Sequence, residues 1–378
     1  MTDTKSTFEK SLIEMTDGEL NEFVAGRGMP KFRAAQIREW LWRGAPDMKS
    51  MTNLPAQLRD LDVKTLPLKL IKTPESDDGQ TVKFLFELSD GEKIESVLMR
   101  TTYGNSVCVS SQAGCAMGCA FCASTMLGLR RNLTTNEMNA QVLFAQWHTR
   151  QLVSSKEKVV SKKNTSSLLL TTSYLKPNGD PNHGDISHIV IMGTGEPMLN
   201  LENTIGFMTD MNTHLGISWR RMTVSTCGIV PGIDALAGWG RPVNLAISLH
   251  APTDDLRTRL MPINTKYNIE NTLDAAFKMS DKSGRQLMIE YLLIAGLNDQ
   301  SEHAKKLAEL LHGKNVLVNI IPWNTVAEKT EFFAPSNNAV HRFADELKRL
   351  GIHTRIRRER GADVGAACGQ LRISDKSD

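Results

Sequence analysis

No stretch of these 378 residues approaches the roughly 18 consecutive apolar residues needed to cross a bilayer. The opening residues, MTDTKSTFEK, carry no basic-then-apolar leader pattern, so a cytoplasmic protein with no membrane association is expected. Cysteine is scarce: six in so long a chain are too few for the disulfide framework of a small secreted domain. Net charge is small as well, and a formal +3 makes no argument of its own for nucleic acid. Nor does the chain repeat itself at solenoid or propeller spacing. The composition is that of an ordinary globular protein, 40% apolar and 23% charged. It suffices for one large domain with one or two small ones.

The first 75 or so residues read as a small helical domain (1–75), with apolar faces formed by Phe32, Ala35, Ile37, Trp40, Leu41 and Trp42 and by Leu54, Leu58 and Leu61. TVKFLFELSD and EKIESVLMR, joined at Asp90-Gly91, predict a β-hairpin that serves as a linker over 76–104. From there the pattern is α/β. SVCVSS, ISHIVIMG, RMTVST, VNLAISLH, RQLMIEYLLI and NVLVNIIPW are strand candidates separated by amphipathic stretches. One of these opens with the capping box Thr134-x-x-Glu137. Six such units predict a parallel sheet covered by helices, a partial barrel over 105–350. Residues 154–185, rich in Ser, Lys, Asn, Gly and Pro, read as a surface insertion without chemistry. A C-terminal segment, 351–378, follows.

Chemistry in such folds sits in loops after the strands' C-terminal ends. GTGEP, STCG, SLHAP, PWN and the cysteine cluster GCAMGCAFCAS all fall there. The cluster places Cys115, Cys119 and Cys122 within eight residues. Thiolates so spaced select zinc or an iron–sulfur centre. Structural zinc needs a fourth ligand, for which Cys108 and His148 are the candidates. A cubane on three thiolates keeps one iron open for a further ligand.

Cys-x-x-x-Cys-x-x-Cys with Phe121 before the last cysteine resembles the signature of radical S-adenosylmethionine enzymes. CVSSQAGCAMGCAFC, MGTGEPMLN, RRMTVSTCGIVP, ISLHAP, LMPIN, IPWN and AACGQL, in that order, resemble the RlmN family of RNA adenine methyltransferases. FRAAQIREWLW resembles its helical accessory domain. The likeness covers nearly the whole chain outside 154–185 and the extreme ends. It implies a partial (β/α)6 radical S-adenosylmethionine barrel with a [4Fe-4S] cluster on Cys115, Cys119 and Cys122. It also implies two S-adenosylmethionine molecules per turnover, one methylating a cysteine and one cleaved to a radical.

By the same resemblance Cys368 is the methyl carrier, and Cys108 releases the product through a transient disulfide with it. Glu95 is the proton acceptor. Gly195, Glu196, Ser225, Ser248, Leu249, His250 and Asn324 match the cofactor contacts, with Glu196 suited to the ammonium group and Ser225 and Asn324 to ribose or carboxylate oxygens. Cys227 stands where serine is usual and reads as a small packed residue. Thr194 and Gly365 depart from the family's methionine and aspartate. The implied substrates are 23S rRNA and tRNA, methylated at carbon 2 of adenine, with an electron donor such as flavodoxin and a monomeric enzyme. Arg130, Arg131, Arg355, Arg357, Arg358, Arg360, Lys31, Arg33 and Arg38 are the candidate phosphate contacts, and Arg220 and Arg221 form a further basic pair. A Cfr-type carbon-8 enzyme is the nearest alternative. Pro197 and Trp323 resemble the carbon-2 enzymes instead. A radical enzyme acting on a small molecule or a protein, and a zinc-stabilised RNA-binding protein, are the more distant readings.

Overall fold

The computed structural model describes residues 10–160, 185–326, 328–357 and 361–371 (for 152–160 the backbone alone). Near the N-terminus, Thr16 accepts from the Glu19 amide at 3.2 Å while the Glu19 carboxylate accepts from the Thr16 amide at 2.7 Å. This reciprocal cap starts helix α1 (Asp17–Ala25). Helices α2 (Phe32–Trp42) and α3 (Ala56–Arg59) follow. Leu20, Val24, Ile37, Leu41 and Leu58 form a small core that also takes in Ala140 and Leu143 of the long helix α4 (Thr135–Val160). On α2 the buried stripe is Ala34, Ile37 and Leu41, whereas Phe32 is 55% exposed and Ala35 faces solvent. The expected face was therefore rotated: Ala34, not Ala35, lies in the row of Ile37 and Leu41 at helical spacing.

Among the described residues the main sheet has ten strands. β1 (Leu68–Lys72), β2 (Thr81–Leu88), β3 (Lys93–Thr101) and β4 (Gly104–Cys108) pair antiparallel in sequence order. β4 then pairs parallel with β7 (Ile186–Ile191). The sheet runs on, all parallel, through β8 (Met222–Thr226), β9 (Asn244–Ser248), β10 (Leu287–Leu293), β11 (Val316–Pro322) and β12 (Thr354–Ile356). All six strand candidates are present, and a further parallel strand, β12, closes the order. The Asp90-Gly91 hairpin forms with Gly91 at φ 86°. It is continuous with the sheet, because residues 97–101 of β3 pair with β4.

α5 (Leu201–Leu215), α6 (Val230–Trp239), α7 (Asp254–Leu260), α8 (Ile269–Ser283), α9 (Ser301–Leu311) and α10 (Asn337–Arg349) alternate with the parallel strands. Strands buried on both faces need not alternate in polarity, and Ile189, Val224, Ile247, Ile289 and Val318 are fully buried or nearly so. The Thr134–Glu137 capping box starts α4 as expected. The helix backbone continues to Val160, into the segment read as an insertion. No Gly or Pro interrupts it there. Residues 161–184 lie outside the described residues. Among the described residues no helix is long and apolar enough to cross a membrane.

Candidate active site

A separate two-stranded ribbon, β5 (Gln112–Gly114) and β6 (Leu129–Asn132), holds the cysteine loop at its tip. Gly114 lies at φ 75°, and a Cβ there would sit 1.9 Å from the Gly128 carbonyl oxygen, so no side chain fits. The loop is tied on several sides. The Cys115 amide donates to Gly128 O at 3.0 Å and the Ala120 amide to Leu260 O at 2.9 Å. Trp323 Nε1 donates to Phe121 O at 3.4 Å, and Phe121 stands edge-on to the His250 ring, 4.9 Å between centroids.

Cys115, Cys119 and Cys122 line one pocket of about 140 Å³ beneath the strand ends. Gly195, Glu196, Ser225, Ser248 and His250 share it. Burial pushes all three thiols up, Cys115 to about 11. Thiols so placed ionise when a metal centre takes their charge. Among the described residues no three Cys, His, Asp or Glu side chains converge on a single-ion cage. Thiolates on one zinc ion must converge to bonds of about 2.3 Å. Three thiols lining one pocket are a donor set that suits an iron–sulfur cluster.

The strand-end residues have definite duties. Gly195, at φ 108°, approaches Gln112 so closely that a Cβ would lie 2.6 Å from that side chain. The Glu196 carboxylate accepts from the Met198 amide at 3.0 Å and the Cys227 amide at 2.8 Å. It thus clamps two loops together, and only its remaining lone pairs can meet a ligand's ammonium group. Burial raises its pKa against those hydrogen bonds. His250, a non-glycine residue at φ 57°, accepts from the Leu292 amide through Nδ1 at 3.0 Å. Burial lowers its pKa to about 3, so the ring is neutral. Cys227 is buried in the pocket wall, its Sγ 3.3 Å from Met117 Sδ.

Two of the expected contacts, Leu249 and Asn324, are not among the residues lining this pocket. Leu249 has its side chain in the fully buried core. Its carbonyl accepts from Arg257 Nε at 3.3 Å. Asn324 lines an adjoining cavity of about 570 Å³ together with Cys368, Glu290, Asn319 and Arg357. Cys368 is exposed, and its carbonyl accepts from Asn324 Nδ2 at 3.3 Å. The same segment meets the cysteine loop, where the Ala123 amide donates to Gly369 O at 2.9 Å and Ser124 Oγ to Leu371 O at 2.7 Å. Cys108 ends β4, and burial pushes its thiol up to about 12. Arg357 bridges this region: its guanidinium is 3.3 Å from Glu290 and 4.0 Å from Met192 Sδ, and its charge is felt by both Cys108 and Cys368. All six cysteines are free.

Glu95 is 4% exposed on β3, not on a solvated face. Lys83 Nζ pairs with it at 3.0 Å and donates to Gly365 O at 3.3 Å, linking the carboxylate to the Cys368 segment. Glu95 lines a cavity of about 260 Å³ with Arg130, Ser124 and Met126. Lys83 was not anticipated; it sits at an ordinary polar position of an alternating strand, and only the pairing of β2 with β3 reveals its role. Of the basic candidates, Arg130 and Lys31 are exposed. Arg131 is held by Asp90 and Glu137, Arg38 by Asp17 and the Met15 carbonyl, and Arg33 by Gln36 and the Asn53 carbonyl. Arg355 lines the larger cavity, and Arg358 and Arg360 lie outside the described residues.

Residues 181–310 match the radical SAM superfamily, and residues 10–61 the ribosomal RNA large subunit methyltransferase N-terminal domain. A probable dual-specificity RNA methyltransferase RlmN of Staphylococcus aureus is 42% identical over 374 residues, 97% of this chain and 94% of the relative. A protein of the same description from Carboxydothermus hydrogenoformans is 42% identical over 369 residues, 96% of this chain and 98% of its own. The crystal structure of a radical SAM methyltransferase from Sphaerobacter thermophilus superposes with a TM-score of 0.81 at 40% identity. It covers 96% of this chain and 99% of that one.

Proposed function

The chain belongs to the RlmN family of radical S-adenosylmethionine RNA methyltransferases, and from that premise we propose that it methylates carbon 2 of adenosine in 23S rRNA and, in tRNAs, of the adenosine 3′ of the anticodon. One observation carries the reading: the three clustered thiols share a pocket with the strand-end residues, while Cys368 hangs from the same loop beside a second cavity. Cys115, Cys119 and Cys122 hold the [4Fe-4S] cluster. Ser225, Ser248, the backbone of Gly195 and the neutral His250 border the S-adenosylmethionine site.

Carbon 2 of adenine is electrophilic, so direct polar methyl transfer to it is unfavourable. The Cys368 thiolate first takes a methyl group from one S-adenosylmethionine, leaving S-adenosylhomocysteine. When bound, the cluster and a second S-adenosylmethionine supply one-electron cleavage to methionine and a 5′-deoxyadenosyl radical, which takes a hydrogen atom from that methyl. The Cys368-borne carbon then bonds to carbon 2, splitting one difficult step into easier ones. The adduct gives up its surplus electron, which a bound cluster would take back, and Glu95, held by Lys83, receives the carbon-2 proton. Attack of the Cys108 thiolate on the Cys368 sulfur forms a disulfide and breaks the sulfur–carbon bond, and a proton completes the methyl group. An external dithiol would reduce the disulfide before the next turnover, and a bound cluster would need its electron from a donor such as flavodoxin.

A Cys108→Ala variant tests the route. It should accumulate protein covalently joined to RNA, a nuclease-sensitive slow band on a denaturing gel that vanishes in the Cys108→Ala, Cys368→Ala double variant. Full turnover without an adduct would assign Cys108 a packing role only.

A further inference from the structure

Arg257, on α7, is completely buried, although charged side chains are almost never so unless paired with an opposite charge. Its five N–H groups are all satisfied. Nε donates to Leu249 O at 3.3 Å, Nη1 to Asn264 Oδ1 at 2.7 Å and Tyr267 O at 3.2 Å, and Nη2 to Cys227 O at 2.6 Å and Ser248 O at 3.4 Å. Every acceptor is neutral, and no carboxylate forms a salt bridge with it among the described residues. Asp254, at the start of the same helix, accepts from Asn264 rather than from the guanidinium and is itself exposed. Burial lowers the Arg257 pKa from the ordinary arginine value, but a guanidinium titrates so high that it stays protonated in the interior.

Its place gives that charge a target. Cys227 and Ser248, whose carbonyls it binds, line the pocket of the three cluster thiols, as does Met261 just past the end of α7. Leu260 O, at the end of the same helix, accepts from Ala120 inside the cysteine loop. We infer that Arg257 is an electrostatic support of the iron–sulfur site, raising the potential at which the cluster accepts its electron. Reduction adds a negative charge, which a nearby buried cation stabilises, and low polarisability around both strengthens the effect. Net charge near a cluster is among the factors that set its potential. Backbone carbonyls could have been satisfied by neutral donors, so the cation is what distinguishes this residue from an ordinary loop brace.

The inference rests on assigning the cluster to Cys115, Cys119 and Cys122, and the experiment separates the two. Anaerobically reconstituted full-length protein is titrated with a reductant and followed by electron paramagnetic resonance. In Arg257→Gln the ratio of reduced to oxidised cluster at fixed potential should fall at least tenfold, a shift of ~59 mV or more toward negative potential for one electron. Arg257→Lys should keep most of the wild-type ratio. Should Arg257→Gln fail to fold, Asn264→Asp decides, since it leaves the arginine in place and sets a carboxylate against it; its potential should move the same way. Variants that hold wild-type iron at an unchanged potential would overturn the inference. Wild-type protein that binds no iron would overturn the cluster assignment instead.

Discussion

Two cysteine-bearing regions meet in this site and are built in opposite ways. The loop of Cys115, Cys119 and Cys122 is fixed by backbone bonds to its own ribbon, to α7 and to the C-terminal segment, and it is braced by Trp323 and Phe121. The segment of Cys368 is held by its backbone, at Asn324, Ala123 and Ser124, while the residue itself stays exposed beside a large cavity. The difference follows from the proposed tasks. Ligands to a cluster must keep their spacing with or without substrate. A thiol that accepts a methyl group and then meets both a radical and a base must remain reachable.

The largest effect that would break this contrast is at the cluster. Cys119→Ala should lose iron and reductive S-adenosylmethionine cleavage together, as read by an iron assay and by formation of 5′-deoxyadenosine. Stoichiometric zinc with no iron in the reconstituted wild type would refute the cluster. Next, Cys368→Ala should keep the cluster and slow cofactor cleavage yet yield no methylated RNA. Normal methylation by that variant would make the exposed thiol incidental.

The link between the two regions is sharpened by smaller changes. Glu95→Gln should slow turnover by about 100-fold, the low end for loss of a general base, with cluster content unchanged. Lys83→Met should cost about 1.5–3 kcal/mol in a denaturant melt, the range for a hydrogen bond to a charged group, and slow turnover by less than Glu95→Gln. An unchanged rate in Lys83→Met would show that its tie to Gly365 does not position Cys368. The smallest effect is expected at Arg130→Gln, which should weaken RNA binding and reduce the slope of log affinity against log salt by about 0.7–0.9, one phosphate contact. An unchanged slope would remove Arg130 from the RNA face.

Much of this was legible in the chain, for local reasons. The strands announce themselves because those covered on both faces are continuous apolar runs, and Asp90-Gly91 and Thr134-x-x-Glu137 mark a turn and a helix start by their own backbone chemistry. The three cysteines lie on one loop, so their grouping needs no tertiary information. What was not legible depends on long-range pairing. Nothing in KIESVLM says that Glu95 is buried, which follows only from β3 lying between β2 and β4. Arg131 and Arg38 read as free cations until Glu137 and Asp17 fold against them. Arg257 is one of two arginines in DDLRTRL, and nothing local says which is buried. Leu249 shares a motif with two pocket residues, but its side chain is buried in the core just past the end of β9.

The most direct test of the central claim is tandem mass spectrometry of nucleosides from rRNA or tRNA methylated with S-adenosylmethionine carrying a trideuterated methyl group. Transfer through Cys368 removes one deuterium from that methyl and restores the third hydrogen from solvent. The account predicts adenosine methylated at carbon 2 with two deuterium atoms in the new methyl group. A methyl group that keeps all three deuterium atoms, or one placed on carbon 8, would contradict it.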